Sequence, residues 1–198
     1  MNKIVKKALF SATLAGSLAL AGGALAADTY AMDPGHTEVR FGWSHAGVSQ
    51  QHAEFDKIVG TLKLDEANVE NSSIEVKIDV SSLSSGFEAL DTHLKSSDYL
   101  NVEKHPDISF KSTSIKKTGD KTADVTGDVT IHGVTLPVTL KAELTHLGEH
   151  PVGQFLDYYK GDWVAFKATT EIDHMAFKVG NFSTGPIAIE INTELKKQ

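Results

Sequence analysis

The sequence predicts an all-β protein, an eight-stranded antiparallel barrel of up-and-down connectivity that carries one short α-helix. Three observations carry that expectation. Apolar residues recur at every second position through most of the chain, as where Ile74, Val76, Ile78 and Val80 alternate with Glu75, Lys77 and Asp79, the period of a half-buried strand. Turn-forming residues separate these runs at short intervals. The period changes in one stretch, where Phe87, Leu90 and Leu94 fall at i, i+3 and i+7, one face of a short helix near Phe87 to Lys95. Ser84 and Ser85 stand ready there as N-caps. Eight antiparallel strands with short connections favour closure, which removes exposed edges. The helix then buries its apolar face across an open end of the barrel.

In chain order, Met1 to Ala26 reads as a cleaved signal peptide. Lys3, Lys6 and Lys7 form a basic start, Ala8 to Leu20 a short apolar run, and Ala24-Leu25-Ala26 a small-x-small cleavage pattern. The run is too short and too rich in Ala, Gly and Ser for a transmembrane anchor. The mature chain, 27–198, reads as one domain, with no internal repeat, linker or low-complexity segment. Its first strand has Val39, Phe41 and Trp43 alternating with Glu38, Arg40 and Gly42. Leu62 and Leu64 mark the second, after a break around Ile58 and Val59 that suits a bulge. Ile74 to Val80 is the third and Ile108 to Ser114 the fourth.

Thr118-Gly119-Asp120 makes a turn, after which Ala123, Val125, Gly127, Val129 and Ile131 share one face of a fifth strand. His132-Gly133 leads tightly into the sixth, Val134 to Leu144. Pro137 there implies a bulge or a locally unpaired edge. A loop from His146 to Gly161 precedes the seventh strand (Val164, Phe166, Ala168, Ile172). Ile187, Ile189 and Ile191 form the eighth.

Composition narrows the function. Removing the signal takes away three lysines and moves the formal charge from −7 to about −10, a poor match for nucleic acid or an anionic membrane surface, which need a basic face. With no cysteine there is neither a disulfide framework nor thiol chemistry, so stability rests on the core. No Gly-x-Ser-x-Gly elbow or Gly-rich phosphate loop is present, and the acidic residues lie on polar strand faces, so no enzyme activity and no catalytic residue is expected. Of the nine histidines only His146 and His150 are spaced as His-x3-His, and they fall in a Gly/Pro loop rather than on the helix a metal site of that spacing needs. No metal and no cofactor is expected, and the histidines read as loop and rim residues. The inward positions mix large rings (Phe41, Trp43, Phe166) with small groups (Gly127, Ala142, Ala168), a mixture that serves interdigitation or a tunnel. Patterning alone favours the filled core.

Three segments carry a resemblance. DPGHTEVRFGWSHAGVSQQHAEFDKIVGTLKLDE, DTHLKSSDYLNVEKHPDISFKSTSI and VTGDVTIHGVTLPVTLKAEL, in that order, resemble the YceI-like family of lipid- and polyisoprenoid-binding proteins, over Tyr30 to Glu194. Two departures are local. His174 stands where the family often has Arg, and Asp91 is followed by Thr92 and His93 where the family's helix often pairs Asp with Arg.

The resemblance implies a lipocalin-like barrel that encloses a long apolar chain, so it reverses the choice between packed and hollow. It implies a periplasmic protein that binds a polyisoprenoid, isoprenoid quinone or fatty-acyl lipid for storage, transport or presentation. Phe41, Trp43, Phe87, Leu90, Leu94, Phe110 and Phe166 are expected to line the tunnel. His36 and His174 are expected at one mouth, hydrogen-bonded to a head group. The alternative is a packed barrel acting through its surface as a stress-response or interaction protein. The expected partners are then the long-chain lipid, with no nucleic acid and no integral membrane segment after signal cleavage, and a homodimer is left open.

Overall fold

The structure, a computed structural model, describes residues 27–198. The expected signal peptide lies outside the described residues. Ten strands and one helix follow in the order β1 (Asp28–His45), β2 (Ser49–Phe55), β3 (Ile58–Leu64), β4 (Ser73–Asp79), β5 (Leu83–Ser84), α1 (Glu88–Lys95), β6 (Asp107–Lys117), β7 (Thr122–Ile131), β8 (Val134–Glu149), β9 (Asp162–Ile172) and β10 (Ile187–Lys197). All pairings are antiparallel, and β10 returns to pair with β1, which closes the sheet. No described helix is long and apolar enough to cross a membrane.

Ten strands reduce to an eight-stranded barrel because two walls are bent. β3 pairs with the start of β1 (Ala31 opposite Thr61) and β2 with its end (Val39 opposite Phe55). Together β2 and β3 form one long strand, broken at Asp56 and Lys57. The Ser82 hydroxyl accepts both backbone N–H groups at the break, at 3.2 and 3.1 Å, so these donors stay satisfied. β4 and β5 are likewise one strand interrupted by a 3₁₀ turn at Val80–Ser82. The break therefore falls just before Ile58, which is buried and faces inward, rather than at Ile58 and Val59.

β1 carries its own irregularity. Against β10, Met32 faces Leu195 but Thr37 faces Thr193, so Asp33-Pro34-Gly35-His36 is extruded as a bulge. The β7–β8 turn has positive φ at both His132 (51°) and Gly133 (75°), the geometry that matches the twist of a two-residue hairpin. Pro137 keeps its β7 register opposite Asp128, while β8 joins β9 only from Lys141 onward. Of the two expectations for Pro137, the unpaired edge is what forms.

One end of the barrel, here the helix end, carries the β1–β2 turn, α1, the β7–β8 turn and the 173–186 loop. The other, the termini end, carries residues 65–72, 118–121 and 146–161. The fully buried apolar residues fall into two groups. One lies toward the helix end, around Phe55, Ile58, Val80, Leu83 and Phe177. The second lies toward the termini end, around Tyr30, Leu62, Val164 and Leu195.

Candidate functional site

Between those two buried groups the inward positions are only half-buried. Val76, Phe110, Val129, Val138, Leu140, Phe166, Ile189 and Ile191 all point inward by strand alternation, yet none is closed off. What they face is a cavity of about 1200 Å³, above the roughly 300–1,000 Å³ of pockets that take drug-sized molecules. The barrel is hollow. The cavity is bordered by Ala46, Gly47 and Phe182 at the helix end and by Glu66, Gly119 and Asp120 at the termini end, so it runs the length of the barrel.

Local sequence explains the bore. Gly127 lies on an inward position of β7, and a Cβ there would meet the Phe110 ring at 2.5 Å and the Lys111 carbonyl at 2.6 Å. The missing side chain lets the Phe110 ring lie back against the wall. Phe41 stacks on Trp43 (5.8 Å between centroids) and on Phe55 (5.4 Å), which holds these rings along one side.

The polar groups of the lining sit mostly at the two ends. In the barrel wall, Thr37 and Thr193 satisfy each other at 2.8 Å, and Thr170 donates to the Thr139 carbonyl. The termini end has Glu66, Lys117, Asp120 and Lys121, and the helix end has His45, His93, His174 and Tyr99. The arrangement suits a long apolar molecule with a polar end group.

Six of the seven expected tunnel residues border the cavity: Phe41, Trp43, Leu90, Leu94, Phe110 and Phe166. Phe87 does not, being 67% exposed. The helix begins at Glu88, and Phe87 is its N-cap in extended conformation (φ −136°, ψ 106°), so the helical period does not extend back to it. The inward face is Leu90, His93 and Leu94 instead. Ser84 and Ser85 do not cap the helix either. The dependence runs the other way: Asp91 accepts the Ser85 backbone N–H at 2.7 Å and the Ser85 hydroxyl at 2.5 Å.

His36 and His174 do not share a mouth. His174 is buried at the helix end and borders the cavity. Its Nδ1 bonds the Val179 carbonyl (2.7 Å) and its Nε2 accepts the Thr184 N–H (3.2 Å), so the ring ties the 173–186 loop together. His36 lies on the extruded bulge of β1, on the outer wall, beside Asp33 and Tyr159. The bulge that carries it out of the β1 alternation breaks the reading by period.

Sequence reasoning missed Met32, His93, Tyr99 and Thr184 as lining residues. Tyr99 and Thr184 lie in connections that have no period, and Met32 stands just before the β1 bulge. His93 was visible as i+3 from Leu90.

Comparison with known proteins agrees with this architecture. The YceI-like domain matches residues 30–196. A relative from Pseudomonas putida named "UPF0312 protein" is 38% identical over 199 residues, covering 98% of this chain and all of the relative. Among solved structures, BcnA of Burkholderia cenocepacia superposes with a TM-score of 0.71 at 21% identity, over 82% of this chain and 98% of that one. A polyisoprenoid-binding domain from Saccharophagus degradans, implicated in plant cell wall breakdown, superposes with a TM-score of 0.63 at 11% identity, over 85% and 98%. Those two likenesses are of fold. On the sequence match over nearly its whole described length, the chain belongs to the YceI-like family.

Proposed function

We propose that this protein is an exported, non-enzymatic carrier that holds one long apolar chain along the barrel, in the periplasm. The ligand class is a polyisoprenoid, an isoprenoid quinone or a fatty-acyl lipid. One observation carries the reading: a cavity of about 1200 Å³ that runs the barrel's length and is lined by apolar side chains apart from the hydrogen-bonded threonines of the wall and the polar groups near its ends. Burying apolar surface is the main driving force such a site offers, and no cluster of nucleophile, base and oxyanion donors faces the cavity among the described residues. The Met1–Ala26 pattern supports export, and the name of the Saccharophagus degradans domain supports the ligand class. The polar end of the ligand sits at the helix end, where Tyr99 and the imidazole of His93 border the cavity and can hydrogen-bond it.

Organic extraction of natively purified protein, followed by mass spectrometry, tests the proposal. A long-chain apolar species at near one per protein is expected. Protein that yields no such species, and takes none up when one is offered, leaves only a barrel that acts through its surface.

A further inference from the structure

The outer wall near the termini end holds a second cluster, unconnected to the cavity. Asp33 and His36 come from the extruded bulge of β1, and Glu194 comes from the adjacent β10. One donor atom from each lies within 4.8 Å of the other two. Asp33 is 95% buried and accepts from the Gly35 N–H (3.0 Å), from the Tyr158 hydroxyl (3.1 Å) and from His36 Nδ1 (2.8 Å). Burial pushes its carboxyl up, but the hydrogen bonds from His36, Gly35 and Tyr158 outweigh this and hold it below the usual carboxylate range.

Glu194 is held in place from the opposite side. His150 Nδ1 accepts the Val152 N–H at 3.2 Å. Its proton therefore sits on Nε2, which donates to Glu194 at 3.3 Å. The ring is itself fixed between Tyr159 (4.6 Å) and Trp163 (5.1 Å). An outer imidazole that orients a carboxylate is the support a metal ligand ordinarily has. Two carboxylates kept this close repel each other unless a cation lies between them. The nearby Lys196 is turned away onto the Tyr158 carbonyl and the Tyr158 and Trp163 rings.

We infer that Asp33, His36 and Glu194 form a binding site for a first-row divalent cation, Zn²⁺ above all. The ion takes the place of the proton that His36 Nδ1 shares with Asp33; in the neutral ring that proton moves to Nε2, which faces the Tyr159 hydroxyl at 3.5 Å. Around a tetrahedral zinc with ligand bonds of about 2.0–2.2 Å, donor atoms sit roughly 3.3–3.6 Å apart, so the flexible Glu194 side chain closes the remaining gap. The imidazole in the set selects Zn²⁺ over Mg²⁺ and Ca²⁺, which take oxygen donors, and water fills the fourth position. Binding would pin the β1 bulge to β10. Nothing in the sequence spacing shows this site, because Glu194 lies far from His36 in the chain and joins it only when the barrel closes.

Calorimetric titration of the untagged protein with ZnCl₂ near pH 7 tests the inference. One ion per chain is expected, with a rise in unfolding temperature. Glu194→Gln and His36→Ala should each weaken binding at least about tenfold, while His52→Ala, an exposed histidine on β2, should leave it unchanged. Glu194→Gln keeps the shape of the side chain and decides the matter even where His36→Ala does not fold. No saturable binding up to millimolar Zn²⁺, or binding undiminished in Glu194→Gln, overturns the site. Either result leaves the cavity and its lipid untouched.

Discussion

Gly127 sets how far Phe110 reaches into the hollow. With only 2.5 Å between a Cβ there and the Phe110 ring, Gly127→Ala must push the ring inward or the strands apart. Overpacking of this kind costs about 1–3 kcal/mol. The expected outcome is a lower midpoint in urea together with weaker uptake of a long-chain ligand, read by denaturation and by titration. His132 makes a second residue-scale prediction. Both its ring nitrogens are buried, and the Phe177 backbone near them is too poorly aligned to make a full hydrogen bond. Burial first, then the neighbouring His105 (4.6 Å between ring centroids), hold its pKa below the ordinary imidazole value. The unfolded chain therefore binds the proton more readily, and stability falls as pH drops below about 6.5 toward the folded-state value. Asp33 has the opposite chemistry and a lower window. Its depressed pKa stabilises the fold above about 3.9, a contribution lost on further acidification. His132→Asn, which tolerates the positive φ, should flatten the urea midpoint between pH 7 and 5. An unchanged slope would show that His132 does not titrate there.

At the scale of elements, most of the architecture was legible because strands declare themselves by a period of two. The eight alternating runs correspond to the eight walls. β2 was not legible: in SQQHAEF only Ala53 and Phe55 are buried, so no alternation shows, and its identity as a strand rests on pairing with β1 and β5. The helix was legible as an element but not in its details. The i, i+3, i+7 spacing carries its face one residue past its start, to Phe87, and its anchor, Asp91 gripping Ser85, is a reversal that capping rules do not suggest. A packed α1 would make Leu94→Ala cost about 2–5 kcal/mol. Leu94 is half-buried and borders the cavity, so the loss should fall below that range while ligand affinity drops. Chemical denaturation and ligand titration on the same variant separate the two effects, and a full-sized loss of stability with unchanged affinity would mean that the helix is part of a sealed core.

At the scale of the whole molecule, the distinction that sequence patterning could not make is between a filled barrel and a hollow one. Alternation says which residues face inward but not whether opposite walls meet. The resemblance to a binding family tipped the expectation toward a tunnel, and the half-burial of Phe110, Val129, Leu140 and Phe166 is its structural counterpart. The bulge that carries Asp33 and His36 outward was equally hidden, because its register shift exists only relative to β10.

The central claim is that the hollow takes a long apolar chain, and its energetics follow from burial. Each methylene removed from water contributes about 0.8 kcal/mol, so ten enclosed methylenes give roughly 8 kcal/mol, from which immobilising the ligand subtracts several kcal/mol. The most direct test is a titration with isoprenoid or acyl chains of increasing length and a constant head group. Affinity should rise with each added unit until the cavity is filled from end to end, then level off. An affinity independent of chain length would contradict the account.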